Sequence, residues 1–433
     1  MKTLFLSLCF LTSAMCQALV QYDLDNNEQV AQTRNLLLEK RILDMLWFNQ
    51  KDAEHALDKK QILQQVLDDS FMADYAQQHY AHDTLLENSQ VGFADSVLRE
   101  QELSALLRSY FKNEISAALR DLKQQNKSLY RLNNAVNAEI LAKNFTLQAG
   151  LMIEASPSQV KFAQQTVVAN LSDGSQITLW DIYQRQNIQG KLSLLKGNMD
   201  FLQQQTEKRA MELFILHQGK QLLNAAEWQC LVQVLENRQD KNGLLRQLGF
   251  MQDMHDDNPV LRDQAQQVSS AEIEAYYAKN KENFRIVNKV KVRHVQLASQ
   301  AMADAVFKEI QKGLEFDDAV ETYSIAADKN DGGKLGWLLR EDKDRHWLHA
   351  LSFLQQKGVA SRPVRSPQEE GEPVYEILMV DEREMGYLPV EDEGVRYEAS
   401  RAVAWQKMRD ELVALQKKLR DEQLVHLNKH LQP

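Results

Sequence analysis

The chain has 433 residues, 44% of them hydrophobic and 26% charged, with a formal net charge of −10. That length supports two or more domains with sizeable cores. The acidic balance argues against nucleic acid as a partner, because a phosphate backbone is met by a basic surface.

Met1 to Ala18 reads as a secretory signal: Lys2 supplies the positive start, Leu4 to Leu11 a short apolar core, and Ser13, Ala14 and Ala18 the small residues before cleavage. Lipidation of Cys16 is the rival reading, disfavoured by the bulky Met15 directly before it. The apolar run is too short to span a bilayer, and no later stretch stays apolar for the ~20 residues a membrane helix needs. With Cys9 and Cys16 in or beside the leader, Cys230 alone remains in the mature chain. No internal disulfide then forms, and stability rests on packed cores. Cys230, within Trp228-Gln-Cys-Leu-Val232, reads as a small buried apolar residue.

From Tyr22 to Ser156 there is no proline and a single glycine, Gly92, so long helices run without a breaker. Leu103, Leu106, Leu107, Tyr110, Phe111, Ile115, Ala118 and Leu122 trace one apolar stripe at helical spacing, and Leu36 to Phe48 reads likewise. Past Pro157, Thr166 to Trp180 reads as a hairpin around Ser172-Asp-Gly-Ser175, with Thr178 capping the helix that follows. Helix continues through Phe201 to Leu223 and breaks at Pro259, and Ser269 with Glu272 forms a capping box for the next one.

The texture then changes. Lys289 to Leu297 alternates with the period of a half-buried strand. A helix from Gln300 to Lys312 ends at Gly313, a short helix runs from Phe316 to Tyr323, and Gly332-Gly333 turns the chain. Val374 to Val380 is a closing strand, Gly386-Tyr-Leu-Pro389 breaks the backbone, and Val395 to Leu427 reads as a long polar helix. Its narrow seam of Met408, Leu412, Leu415 and Leu419 is enough to dock but too little for a core.

Four landmarks in this order, Val292-Arg-His-Val295, Gly313-Leu-Glu-Phe316, Tyr323-Ser324 leading to Gly332-Gly-Lys-Leu-Gly-Trp337, and Gly358-Val-Ala-Ser-Arg-Pro-Val364, resemble the parvulin-type peptidyl-prolyl isomerase domain. With its flanks, the chain looks like the SurA and PpiD group of periplasmic folding factors. The resemblance implies an α+β protein, a mostly helical chaperone body with one inserted parvulin-like domain built on a small antiparallel sheet. The divisions it suggests are a signal peptide at 1–18, an N-terminal helical region at 19–160 and a SurA-like helical module at 161–285. The isomerase domain follows at 286–385, and a C-terminal helix at 386–433 docks on the body. Implied clients are unfolded or nascent exported polypeptides, outer-membrane proteins among them, with no cofactor.

Peptide rotation has a barrier of roughly 18–20 kcal/mol, and lowering it needs no bond to the protein, only a site that favours the twisted amide over the planar forms. Parvulins are associated with a pair of facing histidines, a cysteine or aspartate and an apolar shelf for the ring. Here His294 matches the first histidine and Glu376 stands where the second is expected. Ala326 occupies the cysteine or aspartate position, and Asp328, two residues on, reaches the site only if the loop shifts. The shelf methionine falls on Lys343 or Asp344, with Trp347 and Phe353 keeping aromatic bulk. His294 is also readable as a strand histidine satisfied by Glu376, a pairing that favours the imidazolium, and Trp337 as a packing residue. The altered positions imply weak or lost isomerase activity. The alternative is a non-catalytic chaperone or assembly partner that binds apolar client segments. His79 with His82 and His346 with His349 lie one helical turn apart, but neither pair has a third ligand at motif spacing, so no metal is expected.

Overall fold

The structure, a computed structural model, describes residues 19–51, 53–86, 92–125, 127–147, 153–251, 258–342, 347–367 and 373–431. The signal reading, Cys9, Cys16, Lys343, Asp344 and His346 lie outside them. In chain order the strands are β1 (Leu19–Leu24), β2 (Gln29–Gln32), β3 (Leu37–Glu39), β4 (Tyr130–Leu132), β5 (Val167–Leu171) and β6 (Gln176–Thr178). They continue with β7 (Arg285–Leu297), β8 (Lys334–Leu339), β9 (Val364–Arg365), β10 (Tyr375–Tyr387) and β11 (Leu424–Asn428). The described residues up to Val260, with those from Met408 onward, form one compact unit, and Leu261–Lys407 forms a second, inserted between them. The protein is thus α+β: a mostly helical body and a domain on a small antiparallel sheet.

In the body, helices Lys40–Gln50, Lys59–His79, Asp95–Tyr110, Met199–Leu222 and Ala225–Gln247 bury Ile42, Met45, Phe71, Leu107, Ile215, Leu231 and Val234 in one core. Each such side chain contributes ~1.5–3 kcal/mol by leaving water. A second core joins the β5–β6 hairpin to the short helices around it through Phe145, Val168, Ile177, Leu179 and Leu194. Thr178 caps as expected, in a capping box with Asp181, and Ser269 does the same with Glu272. Cys230 is buried and free, and its Sγ accepts from the Glu39 N–H at 3.3 Å. Burial pushes its thiol up to about 12, which makes it inert.

Three readings of the body need correction. The stripe from Leu103 to Leu122 is two helices, Asp95–Tyr110 and Lys112–Gln124, meeting at Phe111, whose φ of −99° and ψ of 32° leave the helical well. The break keeps the Phe111 ring in the core under the Arg41 guanidinium, 5.1 Å from its centroid. Leu36 to Phe48 is helical only from Lys40, because Leu37–Glu39 is β3. The long C-terminal helix is Glu393–Glu422, and the residues after it form β11. That strand pairs in parallel with β1 and antiparallel with β2, completing a sheet in the order β1-β11-β2-β3.

Leu412, Leu415 and Leu419 of the last helix pack into the body core. Arg420 adds a two-pronged bond to Asp68, Nε–Oδ1 and Nη2–Oδ2 both at 2.7 Å, across a partly buried seam. Arg420→Ala is therefore expected to cost about 1 kcal/mol, at the upper end for surface pairs. Lys417→Ala, which loses an exposed pair with Asp421 one turn on, should cost a few tenths. Thermal melts of the full chain check this, and equal costs would show the fork to be idle.

In the inserted unit the sheet order is β8-β7-β10-β9, with β7 and β10 as the long central pair. Val295, Leu297 and Ile377 face helices Gln300–Gln311 and Phe316–Tyr323. The opposite face carries Val290, Val292, Leu378 and Val380 against Leu348 and Phe353 of helix Leu348–Leu354. The closing strand runs past the Val380 end read from the sequence, to Tyr387, so Gly386 is part of it, opposite Ile286. A side chain at Gly386 would crowd Asn288, so the glycine admits a close approach where a break was expected. Among the described residues, no helix is long and apolar enough to cross a membrane.

Candidate active site

Strand periodicity places His294 and Gln296 on the same face of β7 as Val290 and Val292. On β10, Glu376 lies opposite Gln296 and Leu378 opposite His294, so Glu376 is the diagonal neighbour of His294 on that face. This brings the two predicted polar residues together. His294 Nδ1 and Glu376 Oε2 are 2.7 Å apart, and the other oxygen of Glu376 accepts from Gln296 Nε2 at 2.8 Å.

The loop after helix Phe316–Tyr323 supplies a third group. Ser324 Oγ accepts from the backbone N–H of Gln296 and of Ala326, and Ile325 N–H donates to the Gln296 carbonyl at 2.9 Å. At the far end, His294 N–H donates to the Gly333 carbonyl at 2.8 Å and Gly333 N–H to the Asp328 carbonyl at 3.1 Å. So stitched to β7, the loop sets the Asp328 carboxylate 3.0 Å from His294 Nε2. The shift required of the loop is made. Ala326 has no polar group to offer, and Asp328 reaches the imidazole in its place.

Both ring nitrogens of His294 therefore face carboxylate oxygens, which only accept, so the ring donates twice and is an imidazolium. Burial opposes the charge, but Glu376 and then Asp328 outweigh it and raise the pKa above the ordinary 6.5. The side chains grade outward, with Glu376 0%, His294 7% and Asp328 29% exposed.

Phe353 is buried and Trp347 half-buried in the apolar cluster on this same face of the sheet. The Phe353 ring stacks under the Arg340 guanidinium, 5.2 Å from its centroid, and beside His349. The two aromatics thus build the apolar end of the face, while His294, Gln296 and Glu376 build its polar end. Trp337 is not a core residue: it lies on edge strand β8, 39% exposed, with the Lys289 ammonium over its ring. His79 bonds the Tyr75 carbonyl and stacks on that ring, and His349 bonds the Leu339 carbonyl. Gln296 was missed as a site residue, although its place two residues after His294 in the alternating strand is the signal that would have found it.

Residues 268–418 match the family profile of the PPIC-type PPIase domain. The foldase protein PrsA of Bacillus subtilis is 28% identical over 99 residues, 23% of this chain and 32% of that protein. Its namesake from Caldanaerobacter subterraneus is 33% identical over 70 residues, 16% and 22% of the respective lengths. The chain thus spans about a third or less of these curated relatives. Among solved structures, B. subtilis PrsA is 21% identical, covering 57% of this chain and 88% of that one at a TM-score of 0.19. A structure from Campylobacter jejuni, in a study of two SurA-like chaperones, is 16% identical, covering 59% and 96% at 0.22. The kinship rests on the domain that holds the His294 network: residues 268–418 belong to the PPIC-type peptidyl-prolyl isomerase, or parvulin, family.

Proposed function

We propose that the protein is a periplasmic folding factor whose inserted domain isomerises X-Pro bonds in unfolded exported polypeptides, outer-membrane proteins among them. In this reading His294 and Glu376 are catalytic, and Trp347 and Phe353 hold the proline ring. The divisions at 19–160, 161–285, 286–385 and 386–433 serve as helical body, SurA-like module, isomerase and docking helix. The observation that carries it is the His294 imidazolium clamped between two carboxylates beside an apolar aromatic cluster. That is a fixed polar site next to a dry surface, the requirement for favouring a twisted amide. Because Glu376 stands in place of the second histidine, the rate is expected to fall below that of parvulins with the full histidine pair.

The test is a proline-isomerisation assay on the full chain. It should accelerate exchange of an Ala-Pro peptide, and His294→Ala should lower kcat/KM at least about tenfold, or 1.4 kcal/mol at the transition state. No acceleration by a folded chain, or an unchanged rate in the variant, would reject the reading. Aggregation suppression measured on the same preparation separates isomerisation from simple holding of clients.

A further inference from the structure

We propose that a polar cavity in the helical body is a carboxylate-binding site for polypeptides, with Arg209 and Lys208 taking the carboxylate and the glutamines around them taking the adjoining peptide groups. None of the isomerase residues belongs to it, and its test needs no proline.

Helices Asp95–Tyr110, Leu179–Tyr183, Ile188–Leu195 and Met199–Leu222 border a cavity of about 280 Å³, all within the first compact unit. An ion-pair cluster forms one wall. Arg185 donates from Nη1 to Glu100 at 2.7 Å and from Nη2 to Glu212 at 3.0 Å. Arg209 donates from Nη1 to the other oxygen of Glu100, and the same nitrogen lies 3.5 Å from Glu212. Burial works against the Glu100 charge, but Arg209 and then Arg185 outweigh it and hold that carboxyl below its ordinary range. The cluster therefore stays ionised.

It leaves one edge of Arg209 unspent. Among the described residues Nε, which is buried, has no hydrogen-bond partner, and Nη2 has none either. Nε and Nη2 together are an edge by which a guanidinium grips a carboxylate with two parallel bonds. This protein uses that edge twice elsewhere, Arg420 on Asp68 and Arg293 on Asp381, with all four bonds at 2.7 Å. At Arg209 it meets no carboxylate of the described chain, and a buried N–H without an acceptor is costly.

Charge and shape define the ligand. Arg185, Arg209 and Lys208 set three positive charges against the two negative ones of Glu100 and Glu212, so one positive charge is in excess. It belongs to Lys208, which is exposed and has no acidic partner among the described residues. Gln101, Gln189 and Gln205 line the cavity with side-chain amides that make no hydrogen bond among the described residues. Each offers a donor and an acceptor, the complement of a peptide unit. Phe93 and Phe201, both half-buried, add an apolar border. The volume lies just under the roughly 300–1,000 Å³ of sites for drug-sized molecules, which suits a chain end or one side chain. A polypeptide brings a carboxylate from two sources, its C-terminus or a Glu or Asp side chain.

The experiment titrates the full chain, by calorimetry at low salt, with four proline-free peptides of one otherwise uncharged sequence: a free C-terminus, its amide, the amide with one internal Glu, and the amide with Gln there. The free-terminus or the Glu peptide should bind at least about tenfold tighter than its neutral twin, the scale of hydrogen bonds to a charged group. Whichever does so names the source. Arg209→Lys keeps a positive charge beside Glu100 but loses the fork, and should erase most of that preference. Lys208→Gln leaves the ion-pair cluster intact and should weaken binding about two- to threefold. His294→Ala should bind as the unmodified protein does, so that this site and the isomerase reading stand or fall separately. Equal binding of charged and neutral twins, or a full preference retained in both folded variants, would overturn the proposal. Binding of inorganic phosphate without either carboxylate peptide would make this a site for small anions and overturn it too, as would loss of peptide binding in a folded His294→Ala.

Discussion

Glu376→Ala is expected to destabilise the isomerase domain by about 3–5 kcal/mol, the cost of removing one partner from a buried ion pair and stranding the other. Glu376 is fully buried, and its loss leaves His294 Nδ1–H and the Gln296 amide without their acceptor. Glu376→Gln should cost less, since an amide oxygen can still accept one of these bonds. The pH dependence carries a definite sign. The folded pKa of His294 lies above its ordinary value, because Glu376 and Asp328 outweigh the desolvation that opposes the charge. The stability it contributes is complete below about 6.5, the unfolded imidazole value, and is lost as pH rises through the higher folded value. Denaturant unfolding of the full chain at pH 6 and pH 9 should show that loss in the unmodified protein and a smaller one in Glu376→Gln. Identical slopes would mean that the two carboxylates do not hold the proton.

Gly333→Ala is expected to be the most damaging small-residue substitution in the domain. Gly333 has φ of +60°, a region costing a residue with a side chain about 1–3 kcal/mol. A Cβ there would also overlap the His294 carbonyl oxygen. Relief requires the loop to leave β7, breaking the His294–Gly333 bond and carrying Asp328 away from the imidazole. Gly174, in the turn of the β5–β6 hairpin, is the control: its φ is +89°, but a Cβ would meet nothing within 4 Å. Gly174→Ala should cost the backbone strain alone and leave proline isomerisation untouched, whereas Gly333→Ala should lower both melting temperature and rate. Equal thermal costs with equal activity would show that the approach of Gly333 to β7 is not what sets the site.

What the chain settles by itself is what neighbours along it can settle. Ser269 with Glu272, and Thr178, form caps because a side chain three residues from a free N–H needs no distant partner. The turn at Ser172 to Ser175, the helices Gln300–Gln311 and Phe316–Tyr323, and the alternation that sets His294 and Gln296 on one face of β7 follow from the same short-range geometry. The tertiary structure decided everything that depends on a partner far away. Residues Leu424 to Leu427 stop being helix because β1, some four hundred positions earlier, offers them a strand to pair with, and hydrogen-bonded backbone there outweighs helical propensity. Asp328 was dismissible by spacing, since it stands two residues beyond the position at which a polar group was expected. It reaches His294 because Ser324 and Gly333 tie both ends of the loop to β7, and only the folded sheet shows where that loop is fastened.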